Sequence, residues 1–456
     1  MGRPRASARW PSAAGKRADA LKHGAARADS RCIESLHSDT RARAWTLALL
    51  LLALALGLKA AFPADLGLDY EYDAGPAIDT LVRGDFQGFA DTMPLMGPLS
   101  ALVRAPFVWL VFHADVRTVY IVGSLPCIAA VAALVLWLKR LMTEHGRETV
   151  AAAAIAAVCL VNLPALRALH WGHPEELLTG ALVVGAAVAA LRGRTLAAAV
   201  LLGLAFATKQ WALLALPPVL LAAPSERGRI AIVSVCVAAA IYAPFALASP
   251  DRFSTVLHGA GNPQGMAEAD GFSDRAGTGE THITAANVWW PFAEKRDEVR
   301  EGKRVTSAVV PHWVVSLSHG LIVLLAAPLA WLYRRRGPRP REDALALLAL
   351  LLLARCALDP NDFDYYHVPL LLALGAWEGI TRPGKAPWAT LTAAIGTGIS
   401  FLPYAYGFKD LYDFALYTQL TYMAWALPLA VYLGREALSP RSQPQPAAEL
   451  SRASLP

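Results

Sequence analysis

Apolar runs recur along most of the chain and are separated by short polar segments. They begin near residue 45 and continue to about residue 435, with few charged residues inside them. A helix needs roughly 20 apolar residues to cross the hydrocarbon core of a bilayer, and several runs approach that length. The pattern predicts an all-α polytopic membrane protein with about twelve transmembrane helices between residues 43 and 435.

The polar segments between the runs predict the orientation of these helices. Arg and Lys gather in the N-terminal segment and in short loops such as Arg192-Gly-Arg194 and Arg334-Arg335-Arg336. Because basic loops stay on the cytoplasmic side, we expect a multi-pass protein of the cell membrane with both termini cytoplasmic. Residues 1–42 are predicted to form a disordered basic tail, with a misassigned start codon as the alternative. Residues 436–456 are predicted to form a second disordered tail.

Two longer polar segments, residues 63–116 and 249–308, are predicted to be outer loops on this topology. The first contains two moderately apolar stretches, at about 75–85 and 97–112, which charged residues interrupt. Such stretches predict interfacial helices rather than membrane spans.

Lys209 separates two shorter apolar runs, at about 195–208 and 211–223. One continuous helix would bury Lys209 in the middle of the bilayer. It would also turn the basic triplet at Arg334–Arg336 outward, against the positive-inside rule. We therefore expect two spans, or a broken pair of helices, that meet near the outer face.

Composition agrees with the membrane class and excludes several others. Hydrophobic residues make up 55% of the 456 residues and charged residues only 17%, against about a quarter in soluble proteins. The net charge of +6 is concentrated in the tail and the loops, which does not indicate a nucleic-acid partner. The five cysteines have no close partner at metal or redox spacing. The sequence also lacks a serine-hydrolase elbow and a phosphate-binding nucleotide loop.

The concentrated polar character lies on the predicted outer side. Asp69, Glu71 and Asp73 follow the first apolar run, and the segments His170–Glu176 and Asp359–His367 follow later ones. A channel or carrier more often places its ionisable groups near mid-span. This asymmetry indicates a site at the outer membrane–water boundary.

The order of these features resembles the GT-C superfamily of membrane glycosyltransferases, and most of all glycosyltransferase family 87. The similarity rests on four motifs. The first is Asp69-Tyr-Glu-Tyr-Asp73 with the stretch up to Gly84-Asp85, and the second is Gly172-His173-Pro-Glu-Glu176 followed by an apolar run that ends at Lys209. The third is Asn287-Val-Trp289-Trp290-Pro291, and the fourth is Asp359-Pro360 with Tyr366-His367. The chain has Lys209-Gln210 where the family commonly has Lys-Pro, and its 249–308 loop is longer than the family's usual one.

The resemblance implies transfer of a sugar, mannose by family likeness, from a polyprenyl-phosphate donor to a glycan or glycolipid acceptor at the outer face. The acceptor hydroxyl needs a carboxylate to take its proton, and we predict Asp69 in that role, with Glu71 and Asp73 supporting it. The leaving phosphate needs cationic or hydrogen-bonding groups, and sugar faces favour aromatic rings. The candidates for donor-phosphate or substrate binding are Lys209, His367, Tyr366, His173, Arg275, Trp289 and Trp290.

Other interpretations stay open at this point. Asp69 can cap a helix or form an ion pair, His173 can bond within a turn, Lys209 can snorkel, and the two tryptophans can form an interfacial belt. Metal binding by Asp69, Glu71, His170 and His173 is conceivable, but without a tight ligand motif we predict no metal. A multi-spanning transporter or lipid flippase is the alternative function, and a scaffold protein is a third.

Overall fold

The structure is a computed structural model, and it describes residues 40–59, 70, 74–259, 280–300, 303–335, 340–405 and 414–439. The chain divides into two compact units, Met1–Ala48 and Leu49–Pro456. In the first unit, residues 40–48 are helical. The rest of that unit lies outside the described residues, as does the C-terminal tail from residue 440 onward, so the predicted disorder of both tails stays a prediction.

Helices make up most of the described chain, as the apolar runs predict. In the first half these are α1 Thr40–Lys59, α2 Gly75–Val82, α3 Phe86–Asp91, α4 Pro98–Trp109, α5 Val116–Glu144, α6 Thr149–Leu160, α7 Leu163–His170, α8 Pro174–Leu191, α9 Thr195–Thr208, α10 Leu216–Ala222, α11 Arg227–Ala248 and α12 Pro250–Gly259. In the second half they are α13 His312–Arg335, α14 Asp343–Leu358, α15 Val368–Thr381, α16 Trp388–Ser400, α17 Leu402–Ala405 and α18 Ala415–Leu438.

Five helical stretches among the described residues are long and apolar enough to cross a membrane: Thr40–Lys59, Val116–Glu144, Thr149–His170 (α6 and α7 together), Pro174–Leu191 and Arg227–Ala248. The prediction of a polytopic, mainly helical membrane protein is therefore confirmed. The count of about twelve spans stays a prediction, because several of the remaining helices are shorter than a bilayer requires.

Three central helices, α8, α14 and α15, are buried along almost their whole length. Helix α8 packs against α5, α9 and α15, and α14 packs against α15 and α18. Because these helices are apolar on all sides, they belong in the middle of a bundle. Small residues let their backbones approach closely: a Cβ on Gly180 of α8 would lie 3.0 Å from Leu372 of α15.

Lys209 marks a break in the chain, as the two short apolar runs predict. Helix α9 ends at Thr208, and Lys209 itself is extended, with φ −148° and ψ 136°. A 3₁₀ turn over Gln210–Ala215 follows and leads into α10. The prediction of a broken pair of helices is confirmed, and the break brings the Lys209 side chain into the bundle, where it is only 9% exposed.

The two predicted outer loops contain regular structure. The stretches predicted as interfacial helices in residues 63–116 are helical, as α2 to α4. In the 249–308 loop, residues 260–279, 301 and 302 lie outside the described part of the chain. The remainder holds α12, two short strands and most of a third.

A small antiparallel sheet is the main departure from the all-helical prediction. Its strands are β1 Glu280–His282, β2 Glu294–Arg300 and β3 Lys303–Pro311, in the order β1-β3-β2. Strand β2 reads Glu-Lys-Arg-Asp-Glu-Val-Arg, so no apolar alternation marks it in the sequence. Its register with β3 runs from Glu294 opposite Val309 to Arg300 opposite Lys303.

Candidate active site

The candidate site is built around two carboxylates at the start of α8. Glu175 and Glu176 lie in its first turn, where acidic side chains suit the positive end of the helix dipole, and both are fully buried. Lys209, at the end of α9, lies between them. Its Nζ is 3.2 Å from Glu175 Oε1 and 3.1 Å from Glu176 Oε1. The interfacial, snorkelling role considered for Lys209 does not fit this buried position.

Arg355 extends the cluster from the last turn of α14. Its Nη2 lies 3.4 Å from Glu176 Oε1, and its Nη1 donates to the carbonyl oxygen of Tyr366 at 3.2 Å. The guanidinium also stacks between two rings, 4.5 Å from the centre of Trp211 and 4.4 Å from that of Tyr366. Sequence reasoning missed Arg355, although a lone arginine near the end of an otherwise apolar run was the available signal.

These four side chains are close to neutral as a group. Two carboxylates face one ammonium and one guanidinium, all with little or no exposure. Removing one member of such a buried set leaves an uncompensated charge, which typically costs about 3–5 kcal/mol. We call these four residues, Glu175, Glu176, Lys209 and Arg355, the α8 ion cluster.

His173 joins the α8 ion cluster from the turn before α8. Its Nδ1 lies 2.8 Å from Glu175 Oε1, and its ring stacks on Tyr365 with centroids 4.6 Å apart. His173 therefore does more than form a hydrogen bond within a turn, because its ring also links α8 to the segment 359–367.

Tyr70, in the first predicted outer loop, packs against the turn that precedes α8. Gly172 has φ +89°, a conformation that favours glycine, and a Cβ there would lie 2.9 Å from both the backbone nitrogen and the Cβ of Tyr70. The tyrosine therefore packs directly on the turn that precedes His173. Burial raises the pKa of Tyr70, and the neighbouring Arg104 opposes that shift.

Arg104 lies beneath Tyr70 and is fully buried. Its guanidinium carbon is 5.1 Å from the centre of the Tyr70 ring, and its Nε donates to the Gly123 carbonyl at 3.2 Å. Both terminal nitrogens have no hydrogen-bond partner among the described residues. Sequence reasoning noted Arg104 only as a charge that interrupts an apolar stretch.

The segment Asp359–His367 closes the site between α14 and α15. Asp364 forms an ion pair with Arg167 of α7, with Nε 2.8 Å from Oδ2. Burial raises the pKa of Asp364, and Arg167 opposes the shift. Burial also lowers the pKa of His367 to about 3, so that its imidazole is neutral. This segment is called the 359–367 cap.

The tryptophan motif holds the 359–367 cap in place. Asn287 is fully buried; its amide donates to Pro360 O at 2.9 Å, and its Oδ1 accepts from the backbone N–H groups of Trp289 and Trp290. The indole of Trp289 donates to Leu358 O at 2.7 Å. Trp289 therefore has a packing role at the end of α14, besides any contact with a ligand.

The structure brings three of the predicted site residues, His173, Lys209 and Tyr366, to the α8 ion cluster. Trp289 and Trp290 pack in a separate small cluster with Ile283 and Val310. The α8 ion cluster links Lys209 to His173 through Glu175 and to Tyr366 through Arg355. His367 is fully buried at the back of the cap, where Nδ1 faces Asp364 O and Nε2 faces Tyr422. Its direct contact with a donor stays a prediction. The predicted residues Asp69, Glu71, Asp73 and Arg275 lie outside the described residues.

A family comparison decides the class of enzyme. The model of glycosyltransferase family 87 matches residues 95–358, which is more than half of the chain. The chain belongs to glycosyltransferase family 87. The enzyme class and the family predicted from the motifs are confirmed, and the transporter and scaffold alternatives are set aside.

The family 87 match covers most of the site just described. Arg104, His173, the α8 ion cluster and both tryptophans of the motif fall inside the matched range, whereas Asp69 and His367 fall outside it. The crystal structure of ArnT from Cupriavidus metallidurans bound to undecaprenyl phosphate is similar over 86% of this family 87 chain and 77% of ArnT. The sequence identity is 16% and the TM-score is 0.40. A comparison with curated proteins finds no match.

Proposed function

We propose that this enzyme transfers a sugar, with mannose as the first candidate, from a polyprenyl-phosphate donor to a glycan or glycolipid acceptor at the outer face of the cell membrane. The observation that carries the proposal is the convergence of buried cations with the first outer loop. The α8 ion cluster and Arg104 lie around the turn at Gly172, on which Tyr70 packs. Tyr70 directly follows Asp69 in the sequence.

Asp69 is the proposed general base. It takes the proton of the acceptor hydroxyl while the hydroxyl oxygen forms a bond to the anomeric carbon of the sugar. The bond between that carbon and the phosphate oxygen breaks, and polyprenyl phosphate leaves with the electron pair. Glu71 and Asp73 follow in the same loop and support the base, either by holding its position or by contacting sugar hydroxyl groups.

Cations near the leaving group are the second requirement, because the phosphate gains a negative charge as it departs. Lys209 and Arg355 are already paired with Glu175 and Glu176, so a phosphate has to compete with these carboxylates for them. Arg104 has two terminal nitrogens without partners among the described residues, which makes it an additional candidate. Arg275 and His173 complete the set of basic groups proposed for the donor.

The remaining predicted residues have supporting places in this proposal. Tyr366 covers the Arg355 guanidinium, Trp289 packs beside the end of α14, and Trp290 is held by Asn287. Any of these rings can face a sugar, but their protein contacts already account for their burial. We propose that they shape the wall of the site, and that His367 holds the 359–367 cap behind it.

The decisive experiment compares Asp69→Asn with Asp79→Asn in full-length enzyme reconstituted with polyprenyl-phosphate sugars and membrane extract. Asp79 is an exposed helix carboxylate, paired with Arg83 at 2.9 Å, and serves as the matched control. Loss of a base is expected to lower the rate of labelled product formation by about 10²–10⁴-fold in the first variant. The control is expected to keep the parent rate.

Two outcomes would contradict the proposal. A parent-like rate in Asp69→Asn would remove Asp69 from the mechanism. Product formation from a nucleotide sugar, with none from any polyprenyl-phosphate sugar, would overturn the choice of donor. Running mannose and other hexoses side by side identifies the sugar in the same assay.

A further inference from the structure

Three side chains with metal-ligating atoms meet behind the 359–367 cap. Cys356 comes from the last turn of α14, Asp362 from the cap, and His367 from the residue before α15. All three are fully buried, and one ligand atom from each lies within 4.8 Å of the other two. The catalytic proposal above gives His367 only the role of holding the cap, and it does not use Cys356 or Asp362.

The orientation of His367 is that of a metal ligand. Its Nδ1 lies 3.2 Å from the Asp364 carbonyl oxygen, which can only accept a hydrogen bond, so Nδ1 carries the proton. Nε2 then presents a lone pair toward Asp362 Oδ2, 3.6 Å away, and toward the Tyr422 hydroxyl, 3.0 Å away. A backbone carbonyl on the far nitrogen is the usual way in which proteins orient a histidine toward a metal.

Asp362 supplies the second, independent observation. Neither of its carboxylate oxygens has a hydrogen-bond partner of good geometry within the described part of the chain, and the residue has no exposure. The Tyr422 hydroxyl and His367 are its polar neighbours, but the 3.6 Å from Nε2 exceeds a hydrogen bond. Arg355, the neighbouring cation, is already bonded to Glu176 and Tyr366. A buried carboxylate with no cation of its own is costly, and a metal ion between Oδ2, Nε2 and Sγ lowers that cost.

We propose that Cys356, Asp362 and His367 bind one divalent transition-metal ion, with Zn²⁺ the ion that best suits the donor set. A thiolate, an imidazole and a carboxylate are the ligand types of zinc sites, whereas Ca²⁺ and Mg²⁺ require several more oxygen ligands. The ion ties the end of α14 to the cap and to the start of α15. Its role is to hold the cap, and it rests neither on the identity of the sugar donor nor on Asp69.

Cobalt substitution tests the site directly. Full-length enzyme in lipid nanodiscs is stripped with a chelator and titrated with Co²⁺, which gives a thiolate-to-metal absorption band only when a cysteine is bound. We expect the band to saturate at one ion per chain and to be displaced by Zn²⁺. It should disappear in Cys356→Ser and persist in Cys159→Ser, which changes another fully buried cysteine. Absence of the band in the parent enzyme, or its survival in Cys356→Ser, overturns the proposal.

A second variant keeps the test valid where Cys356→Ser fails to fold. Asp362→Asn preserves the shape of the side chain and removes its charge, so the bundle should assemble. We expect its affinity for Zn²⁺ to fall at least tenfold, and the rise in thermal midpoint that Zn²⁺ gives the parent enzyme to be lost. An equal Zn²⁺-dependent rise in both proteins would show that the ion binds elsewhere and would contradict the proposed ligands.

Discussion

At the scale of single residues, Lys209 carries the sharpest prediction. It neutralises two fully buried carboxylates, so Lys209→Met leaves Glu175 and Glu176 with Arg355, His173 and Arg104 as basic neighbours among the described residues. We expect the free energy of unfolding to fall by about 3–5 kcal/mol, the usual cost of breaking a buried ion pair. Thermal or denaturant unfolding in nanodiscs measures the change.

The control for Lys209 is the exposed pair Arg83–Asp79, in which both side chains are more than half exposed. Arg83→Met should change stability by less than about 1 kcal/mol, as exposed ion pairs do. Adding Glu176→Gln to Lys209→Met should recover part of the loss, because one unpaired charge is removed. If the double variant is no more stable than Lys209→Met alone, the ion pair between Lys209 and Glu176 does not contribute to stability as proposed.

Sequence reasoning reached part of this residue-level picture. Lys209 was singled out because a charge between two apolar runs is costly in a membrane, and its helix break was predicted for the same reason. Its partners were not predicted: Arg355 is 146 positions further along the chain (355 minus 209), and no periodicity within either segment connects them. Contacts of this separation depend on how helices pack, which a single sequence does not encode locally.

At the scale of an element, the turn between α7 and α8 carries a second prediction. Gly172→Ala introduces a Cβ at φ +89°, 2.9 Å from the backbone of Tyr70. Gly146→Ala is the matched control, since Gly146 lies just after α5 at φ +87° with open space around it. Both variants should lose about 1–3 kcal/mol from backbone strain. Only Gly172→Ala should also lower the rate of sugar transfer, because it displaces Tyr70 and the loop that contains Asp69.

Equal activity in the two glycine variants would show that the position of Tyr70 does not matter for the reaction. The comparison isolates the contact from the strain, because the two backbones have nearly the same conformation. Stability is read from thermal unfolding, and activity from labelled product under the conditions used for Asp69→Asn.

The motif around Asn287 gives a third prediction at this scale. Asn287→Ala removes donation to Pro360 and acceptance from two backbone N–H groups, all in a buried place. Each buried polar group left without a partner costs about 1–3 kcal/mol. We expect faster proteolysis within residues 280–311, followed by mass spectrometry of the fragments. Gln87→Ala, an exposed amide change, should leave the cleavage pattern unaltered; an unaltered pattern in Asn287→Ala would contradict a clamp on the cap.

Elements differed in how well the sequence predicts them. Most helices could be predicted because a long apolar run fits few structures other than a helix. Helices α2 to α4 could also be predicted, although charged residues interrupt their apolar pattern. The sheet of β1 to β3 was not recoverable, since β2 is almost entirely charged and pairs with β3 through its backbone. A strand that buries little apolar surface leaves no periodic signal to read.

At the scale of the whole molecule, the predicted topology can be tested by labelling single cysteines. The 359–367 cap and the loop after α15 lie at opposite ends of that helix, so the positive-inside rule assigns them to opposite sides of the membrane. Phe292 is 72% exposed, and its backbone N–H donates to the carbonyl oxygen of Trp289, which contacts the end of α14, so it marks the cap side. Gly384, between Arg382 and Lys385, marks the other side. Both substitutions to cysteine are made in a Cys32→Ser, Cys236→Ser background.

We expect a membrane-impermeant maleimide to label Phe292→Cys in intact cells and to label Gly384→Cys only after the cells are opened. This result would put the α8 ion cluster, Tyr70 and the cap on the outer side, where a lipid-linked sugar and its acceptor meet. The reverse labelling pattern would mean that the bundle has the opposite orientation in the membrane, with the site on the cytoplasmic side, and would require a cytoplasmic acceptor. Equal labelling of both cysteines in intact cells would mean that α15 does not cross the membrane, and the span count would then have to fall.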